Sequence, residues 1–563
     1  AARTAAGAHQ RRTAAGSGGA MNGPVVPAPG SRLAIGAVFV VGAALLRFVQ
    51  LGSQPLWFDE ALSLHIAIAD DGLDFIHNTA PLYHVLTRWW CALFGHDVAA
   101  LRSLSAVVGA GFVGGVFVVA DAVFGRATAL AAGVITLLSP LHLYYSQEAR
   151  AYGLLLLLLM LVLGALWRLA QSPSRRAVVV LVLASSAALF THYLAALPLL
   201  VAYVAIGCVR CDPARPAPGR RVLVACAIAA VSLLPWLWWW RRTTAFDPAD
   251  MQWLQALWQE LTVPAALGWS CSLFLLGGHE GHAPVFLKQL SSLSFPVFWW
   301  WLAMLAAGGL GLLAALTWRQ WPRAQRLAVA QAAALAVLPL VLLVLVSFVK
   351  PMYCPGRYDL IALPGFVLLF AHAVAAGMRA PRRSVRTVAS VLVSLLGAAV
   401  LVKDTLYFTA PAGDEPSRRI TDHLLAKLPP GATLVLTGET ALPVLARLEQ
   451  RGCVWRDGRL LRGEPAATCH LRLLPTALET APGAVSRYER AMVDGSIVAD
   501  LGTLLQTVRS DELWLVLSSD LRVTRSAAAE RLANELRAKL AAAGFTIVQS
   551  DADLGVVQLR RRR

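Results

Sequence analysis

Apolar runs of bilayer-spanning length recur along most of this chain, and they limit the folds available to it. Of the 563 residues, 57% are hydrophobic and only 15% are charged, whereas about 25% of residues are charged in a typical soluble domain. Because about 20 apolar residues cross a bilayer as an α-helix, the sequence predicts an α-helical polytopic membrane protein with about 11 spans. The predicted spans cover residues 33–51, 100–123, 127–144, 151–170, 177–191, 193–209, 222–240, 297–317, 327–349, 359–378 and 386–402.

The distribution of charge predicts how these spans are oriented. The net charge is +17, which in a soluble domain would suggest nucleic-acid binding. Here many Arg residues lie in short loops between apolar runs, where they set topology, so we predict no nucleic-acid partner. The positive-inside rule places these loops and the N-terminus in the cytoplasm. The loops are 125–126, 172–176, 209–221, 318–326 and 378–386.

One apolar segment does not fit a span. Residues 81–94, PLYHVLTRWWCALF, carry His84 and Arg88, and the segment is too short to cross a bilayer comfortably. Counting it as a span would also place Arg126 outside and reverse every later loop. We therefore interpret it as an amphipathic helix on the membrane surface.

Composition divides the chain into three regions. Residues 1–31 begin with an Ala-, Gly- and Arg-rich stretch, which predicts a disordered cytoplasmic tail. Residues 32–402 form the predicted membrane domain, with a first outer loop carrying surface helices at 54–98 and a long outer loop at 241–296. Residues 403–563 contain strand-like segments such as ATLVLTG and ELWLVLSS, a helix-like segment and a closing hairpin. The odd number of spans predicts that this small α/β domain lies in the periplasm.

The stretch WFDEA places two carboxylates, Asp59 and Glu60, directly after the first span. Charged groups near a membrane are costly and tend to serve function; the alternative is a helix N-terminal pair favoured by the dipole. Other polar residues are predicted at the same outer level. They are Gln147, Glu148, Arg150, Tyr152, His192, Tyr193, Lys350, Arg357 and Tyr358.

A carboxylate that faces several cations suits the transfer of a sugar from a lipid phosphate. Arg binds phosphate oxygens in a bidentate geometry, and cations stabilise the charge that develops on a departing phosphate. The carboxylate can accept the proton of an attacking hydroxyl. Attack from the opposite face of the sugar would invert the anomeric centre.

The WFDEA motif resembles the acidic first-loop motif of the C-type glycosyltransferase superfamily. It is closest to the family of protein O-mannosyltransferases and lipid A aminoarabinose transferases (glycosyltransferase family 39). The order of later motifs is similar to that family over roughly residues 70–400. These motifs are APLYHVLTRWWCALFG followed by Arg102, then LSPLHLYYSQEARAYGLLLLLL, THYLAALPLL and GRYDLIALPGFVLL.

The resemblance implies a polyprenyl-phosphate-linked sugar donor and inverting transfer at the outer face of a bacterial inner membrane, and we predict no cofactor. It implies that Asp59 is the catalytic base with Glu60 as its neighbour. The residues assigned to donor phosphate or sugar binding are Arg150, Arg357, Tyr358, Lys350, Glu148, Arg102 and His192. The acceptor stays open among a glycan, a lipid and a protein; the loop at 241–296 is too short for an inserted β-trefoil domain, which counts against a protein.

Two other function classes remain open from the sequence. A flippase for lipid-linked sugars predicts discontinuous helices and internal repeats with ionisable residues at mid-membrane. A non-catalytic envelope-assembly subunit predicts that Asp59 is replaceable.

No metal site is predicted from the His and Cys residues. The GGHEGH stretch at 277–282 lacks the i, i+4 His spacing of a metalloprotease helix, and the CxxC at 208–211 has no second pair at zinc-site spacing. Cys453 and Cys469 could pair if the C-terminal domain lies outside the cytoplasm.

Overall fold

The fold is given by a computed structural model. It describes residues 29–68, 80–207, 219–243, 252–277, 321–409, 416–456, 459–462, 464–474, 496–517 and 527–562, together with single positions between 304 and 318. Most of the predicted tail, nearly all of the CxxC and GGHEGH stretches, and most of the predicted span 297–317 lie outside these residues.

Helices make up the first part of the described chain. In order they are α1 Pro29–Phe48, α2 Phe58–Ile68, α3 Leu82–Phe94, α4 Val98–Val123, α5 Arg126–Leu137, α6 Pro140–Ser146, α7 Tyr152–Gln171, α8 Arg175–Thr191, α9 Tyr193–Gly207, α10 Gly219–Thr243, α11 Gln252–Glu260, α12 Val263–Leu276, α13 Arg323–Val349, α14 Tyr358–Met378 and α15 Arg383–Thr409.

Seven of the described helices are long and apolar enough to cross a membrane, and α5 with α6 makes an eighth if this bent pair is one span. The seven are α1, α4, α7, α10, α13, α14 and α15. The predicted spans at 177–191 and 193–209 correspond to α8, which has 17 residues, and to the shorter apolar helix α9. The chain is therefore a multi-pass membrane protein, as the apolar runs predict.

The predicted span at 127–144 is two helices that meet at an angle of 60°. Pro140 cannot continue α5 because it has no N–H, and the Ser139 side chain accepts a hydrogen bond from the N–H of His142 and so caps α6. The side chain of Arg47, fully buried on α1, donates to the freed carbonyls of Thr136 at 3.2 Å and Leu137 at 3.4 Å. The break therefore has its own internal hydrogen-bond partners, which a membrane interior requires.

The tight packing of α6 against α4 brings the following turn into position. A Cβ atom at Gly109 of α4 would lie 2.3 Å from Oγ of Ser146, so only glycine permits this approach. Gln147, at the end of α6, donates through its side-chain amide to the carbonyls of Arg47 and Val49. These contacts fix the turn that carries residues 148–150.

The region predicted as an outer loop, 241–296, contains α11 and the apolar helix α12. Leu275 and Leu276 of α12 pack against Phe370 and Val374 of α14 and Leu396 of α15. Part of this region is therefore packed among the membrane helices. The predicted surface helix at 81–94 corresponds to α3, whose Tyr83 and Thr87 face the protein while Trp89 and Leu93 are exposed.

The C-terminal part is an α/β domain with a seven-stranded sheet. Its helices are α16 Pro416–Lys427, α17 Ala441–Gln450, α18 Ser496–Thr507 and α19 Ala527–Ala542. Its strands are β1 Thr433–Thr437, β2 Cys453–Arg456, β3 Arg459–Arg462, β4 Glu464–Leu474, β5 Glu512–Val516, β6 Phe545–Asp551 and β7 Val556–Arg561. The strand order is β2-β3-β4-β1-β5-β7-β6.

Parallel pairing is confined to the centre of this sheet. Strand β1 pairs in parallel with β4 and β5, and every other pairing is antiparallel, including the predicted closing hairpin of β6 and β7. Residues alternate between two cores, because successive side chains of a strand point to opposite faces. Leu434 packs with α16 and α17, and Val435 packs with α18 and α19. Cys453 of β2 and Cys469 of β4 are both buried in this domain, and their pairing stays a prediction.

The α/β domain rests directly on the helix that carries the WFDEA acids. Leu442 and Ala446 of α17 pack in one apolar cluster with Ala61, Leu62 and Leu64 of α2. The C-terminal domain and the first predicted outer loop therefore lie on the same side of the membrane helices.

Candidate active site

The candidate site is centred on Asp59, in the first turn of α2. Its Oδ2 atom accepts a hydrogen bond from Nη2 of Arg357 at 2.6 Å and lies 3.4 Å from Nη2 of Arg150. The Asp59 side chain is 15% exposed, so solvent reaches it. One carboxylate and two arginines from three separate parts of the chain thus meet at one point.

Arg357 is held in a cage of aromatic side chains. Its Nε donates to the hydroxyl of Tyr152 at 2.6 Å. Its guanidinium lies 5.5–5.9 Å from the ring centroids of Trp57, Tyr152 and Tyr358, within the range of cation–π attraction. A planar guanidinium suits this stacking, whereas a lysine ammonium would not fill it.

The turn before Arg357 fixes where this side chain starts. Gly356 has a φ of +75°, a conformation that glycine adopts without a steric cost. The hydroxyl of Tyr145 on α6 donates to the Gly356 carbonyl. Residues 354–358, CPGRY, therefore form a turn that is anchored to α6, the helix that leads to Arg150.

Arg150 is bound less tightly than Arg357. Its Nη1 atom lies 3.3 Å from the Asp59 carbonyl and 3.4 Å from Oγ of Ser63, so all its contacts with α2 are long for charged hydrogen bonds. A guanidinium with long contacts can turn toward a new anion at little cost.

Glu60 points away from this cluster into a separate buried pair. Its carboxylate binds Arg102 of α4 through Nε at 2.8 Å and Nη2 at 2.6 Å. The remaining N–H groups of Arg102 donate to the carbonyls of Leu51, Gln54 and Pro55. All five donors of this guanidinium are therefore used within the protein.

The Glu60 carboxylate also accepts the N–H of Ala149 at 2.8 Å. This bond ties α2 to the turn that carries Glu148 and Arg150. The geometry favours a positioning role for Glu60 and Arg102 over contact with a substrate.

Glu148 and Asp59 have opposite electrostatic environments, and both lie outside the spanning segments. Burial acts to raise the pKa of Asp59, but the charges of Arg150 and Arg357 outweigh it and hold that pKa below its ordinary value. Burial raises the pKa of Glu148 to about 8, and the Glu60 carboxylate acts in the same direction. Asp59 is thus ionised at neutral pH and Glu148 is largely protonated.

His192 and Lys350 are the remaining residues that the sequence predicts for the site. His192 follows the last residue of α8, and its ring centroid lies 6.0 Å from that of Tyr152 and 5.7 Å from that of Tyr358. Burial and the charges of Arg357 and Arg150 lower the pKa of His192 to about 4, so its ring is neutral. Lys350 follows the last residue of α13, at the start of the segment that leads to Arg357; its assignment to donor binding stays a prediction.

Several residues of this site were not among those predicted from the sequence. Trp57 lines the Arg357 cage, Ser63 touches Arg150, and Tyr145 holds the Gly356 turn. Tyr152 was predicted at the same outer level but without a role in the site, and it also lines the cage. Ser63 lies one helical turn after Asp59, and Tyr152 follows Arg150 by two residues. These spacings are the sequence features that place Ser63 and Tyr152 near the site. Within the described ranges, no group of three or more His, Cys, Asp or Glu side chains is placed to hold a metal ion.

Similarity to known proteins is found at the level of structure. No family model and no curated protein sequence matches the chain. The structure of ArnT from Cupriavidus metallidurans in the apo state superposes with a TM-score of 0.53 and 16% identity, covering 94% of this chain and 98% of that one. ArnT from the same organism bound to undecaprenyl phosphate gives a TM-score of 0.52 and 17% identity, covering 93% and 97%. The Archaeoglobus fulgidus oligosaccharyltransferase, in complex with zinc and sulfate, gives 0.45 and 10%, covering 90% and 71%.

The two ArnT structures match nearly the whole chain, from the membrane helices through the C-terminal domain. This likeness confirms the fold class that the motif order predicts. The chain therefore has the C-type glycosyltransferase fold.

Proposed function

We propose that this protein is a glycosyltransferase that moves a sugar from a polyprenyl-phosphate donor to an extracytoplasmic acceptor. The observation that carries the proposal is the contact of Asp59 with both Arg357 and Arg150 at the edge of the membrane domain. This arrangement supplies a base and two phosphate-binding cations on the fold of ArnT. The ArnT structure named above was solved with undecaprenyl phosphate bound.

The two arginines would bind the phosphate of the donor. Arg357 presents its guanidinium from the aromatic cage, and Arg150 has long contacts that it can exchange for phosphate oxygens. Both charges would then offset the negative charge that grows on the phosphate as the sugar leaves.

Donor binding would also change Asp59. In the structure its Oδ2 atom contacts both arginines, so a bound phosphate competes for these groups. A carboxylate that loses cationic contacts becomes a stronger base. Asp59 would then take the proton of the acceptor hydroxyl as that hydroxyl attacks the anomeric carbon from the face opposite the phosphate, which inverts the configuration.

An apolar cavity of about 510 Å³ offers a place for the isoprenoid chain of the donor. It lies among α5, α12, α14 and α15, and its lining includes Val134, Phe274, Phe366, Phe370 and Leu396. Phe366 follows Arg357 by nine residues along α14, which is roughly 15 Å of helix. A lipid whose phosphate lies at Arg357 is long enough to enter this cavity.

The location of the reaction follows from topology. Arg-rich loops favour a cytoplasmic N-terminus, and the packing of α17 on α2 puts the α/β domain on the same side as Asp59. We infer a bacterial inner-membrane protein whose site and C-terminal domain face the periplasm, with a glycan, lipid or protein as acceptor.

A flippase for lipid-linked sugars is the second candidate, and the bent pair of α5 and α6 favours it because transporters use discontinuous helices. Against it, the break is filled by Arg47, whose guanidinium also contacts Nδ1 of His142 and Oγ of Ser146. The break is thus closed by protein contacts.

A donor-panel assay separates the two candidates. Purified protein in detergent is incubated with radiolabelled sugars on undecaprenyl or dolichyl phosphate and with a membrane extract as the acceptor source. If the proposal is right, the radiolabelled sugar leaves the polyprenyl carrier and appears in a lipid-free or acceptor-linked product. Polyprenyl phosphate is released at the same time. No transfer from any donor, combined with donor translocation in proteoliposomes, would favour the flippase.

A further inference from the structure

Glu148 is a second carboxyl group at the site, and its environment differs from that of Asp59. The residue is 4% exposed, and its Oε2 atom has no hydrogen-bond partner among the described residues. A buried unpartnered oxygen is costly. It occurs here beside the pair of arginines that would hold the donor phosphate.

Charged and titratable groups from several elements act on Glu148. The charge of Glu60 has the largest effect on Glu148, followed by the charges of Arg357, Arg150 and Asp59. Three tyrosines complete the shell. They are Tyr144 and Tyr145 of α6 and Tyr407 of α15.

We propose that Glu148 is the general acid of the reaction and gives its proton to the departing phosphate, while Asp59 acts as the base. This inference rests on the proposed function. Its geometric support is the buried free oxygen of Glu148, located two residues from Arg150 and in the same charged cluster as Arg357.

The transfer is balanced in atoms and protons. The acceptor oxygen forms a bond to the anomeric carbon, and its proton moves to the Asp59 carboxylate. The bond from the anomeric carbon to the phosphate oxygen breaks, and its electron pair stays on that oxygen. As this bond breaks, the Glu148 proton moves to the phosphate oxygen and a polyprenyl phosphate monoanion forms. Above pH 7 the released monoanion loses this proton to solvent. Proton return from Asp59 to Glu148 through solvent restores the enzyme.

Electrostatics explains why the two acids would divide these roles. Two carboxyl groups whose surroundings drive their pKa values apart are assigned as acid and base on that difference. Asp59 is paired with cations, whereas Glu148 is buried beside the carboxylate of Glu60. An ionised Glu148 would also repel the incoming donor phosphate, while a protonated one can donate a hydrogen bond to it.

The test compares wild type with Glu148→Gln and Glu148→Asp across pH 6–10. In wild type, kcat/KM for transfer should fall as pH rises through about 8, because the acid must be protonated. Glu148→Gln should lose about 100- to 10,000-fold in kcat, the usual contribution of general acid catalysis, and should lose the alkaline fall. Glu148→Asp should transfer sugar more slowly than wild type, but its kcat/KM should still fall at alkaline pH. This variant tests the assignment even if Glu148→Gln does not fold.

A matched control is Glu449→Gln in the C-terminal domain. Burial raises the pKa of Glu449 to about 7, yet this residue lies outside the charged cluster. Its variant should keep the wild-type rate and alkaline fall. A Glu148→Gln enzyme within fivefold of wild type, or one with an unchanged alkaline fall, would overturn the assignment.

Binding of undecaprenyl phosphate distinguishes failure of this inference from failure of the proposed function. The lipid phosphate is already doubly ionised above pH 7, so it does not titrate between pH 7 and 9. Wild type should bind it more weakly at pH 9 than at pH 7, and Glu148→Gln should not show that change. If binding of undecaprenyl phosphate has the same pH dependence in both proteins, Glu148 is not the group that loses a proton. This result would contradict the inference whether or not sugar transfer is detected.

Discussion

The side chains of Glu60 and Arg102 form a bidentate ion pair, with Nε 2.8 Å from Oε1 and Nη2 2.6 Å from Oε2. The Glu60 side chain is 1% exposed and that of Arg102 8%. The pair joins α2 to α4 and, through the N–H of Ala149, to the turn after α6. The position of Asp59 therefore depends on a neighbour whose carboxylate binds Arg102 and the N–H of Ala149.

Breaking this pair should destabilise the protein. Removing one partner of a buried pair leaves the other charge uncompensated, at a cost of about 3–5 kcal/mol. We expect Glu60→Gln to lower the unfolding temperature measured in detergent by several degrees and to reduce transfer with it. The exposed pair of Asp422 and Arg451 provides the control; Asp422→Asn should cost about 1 kcal/mol or less. Equal effects of the two variants would contradict the positioning role.

Replacement of the two site arginines by lysine should have unequal effects. Arg357 has a 2.6 Å bond to Asp59 and an aromatic cage, whereas the contacts of Arg150 are 3.3–3.4 Å long. Lysine retains the charge but loses the planar fork. We expect Arg357→Lys to lower kcat/KM by about 10- to 100-fold, the worth of a charged hydrogen bond, and Arg150→Lys by less. Arg242→Lys, which alters an arginine stacked on Trp238 outside the cluster, should leave transfer unchanged.

Loss of Arg47 should open the break between α5 and α6. The fully buried guanidinium contacts two backbone carbonyls there, and buried acceptors left without a donor cost about 1–3 kcal/mol each. We expect Arg47→Met to lower the unfolding temperature and to impair transfer. Arg126→Met is the comparison, because Asp121 keeps Arg32 as a partner at 2.7 Å. An Arg47→Met protein as stable as Arg126→Met would show that the break needs no internal donor.

The contact between α17 and α2 should affect activity separately from stability. Leu442 packs in the same cluster as the α2 residues Leu62 and Leu64, while Leu424 lies in the core of the α/β domain. Each Leu→Ala change should cost about 2–5 kcal/mol within its own core. We expect Leu442→Ala to lower transfer per folded molecule and Leu424→Ala to leave it near wild type. The reverse result would contradict a coupling of the domain to the site.

The sequence predicts the membrane helices and the location of the site well because both depend on local patterns. Long apolar runs specify spans directly, and WFDEA, QEAR and GRY mark the segments that supply Asp59, Arg150 and Arg357. The order of these motifs predicts the fold that the ArnT structures share with this chain.

Other features depend on contacts that no local pattern contains. Asp59 and Glu60 are adjacent, so their side chains leave α2 about 100° apart, and only the packing of α4 shows which one is paired with Arg102. The 60° bend depends on Ser139-Pro140 within an otherwise continuous apolar run. Helix α12 is shorter than a membrane span, so the sequence predicts a loop in this region. Its packing on α14 and α15 is a long-range contact that no local pattern contains.

Transfer by Asp59→Asn, measured beside wild type with the donor that gives the highest wild-type rate, is the most direct test of the central claim. The asparagine keeps the shape of the side chain but has no charge and cannot accept the acceptor proton. We expect kcat to fall by about 100-fold or more, the lower end of what a positioned base contributes, while undecaprenyl phosphate still binds because Arg150 and Arg357 remain. Transfer by Asp59→Asn at the wild-type rate would contradict the account and remove Asp59 from the chemistry.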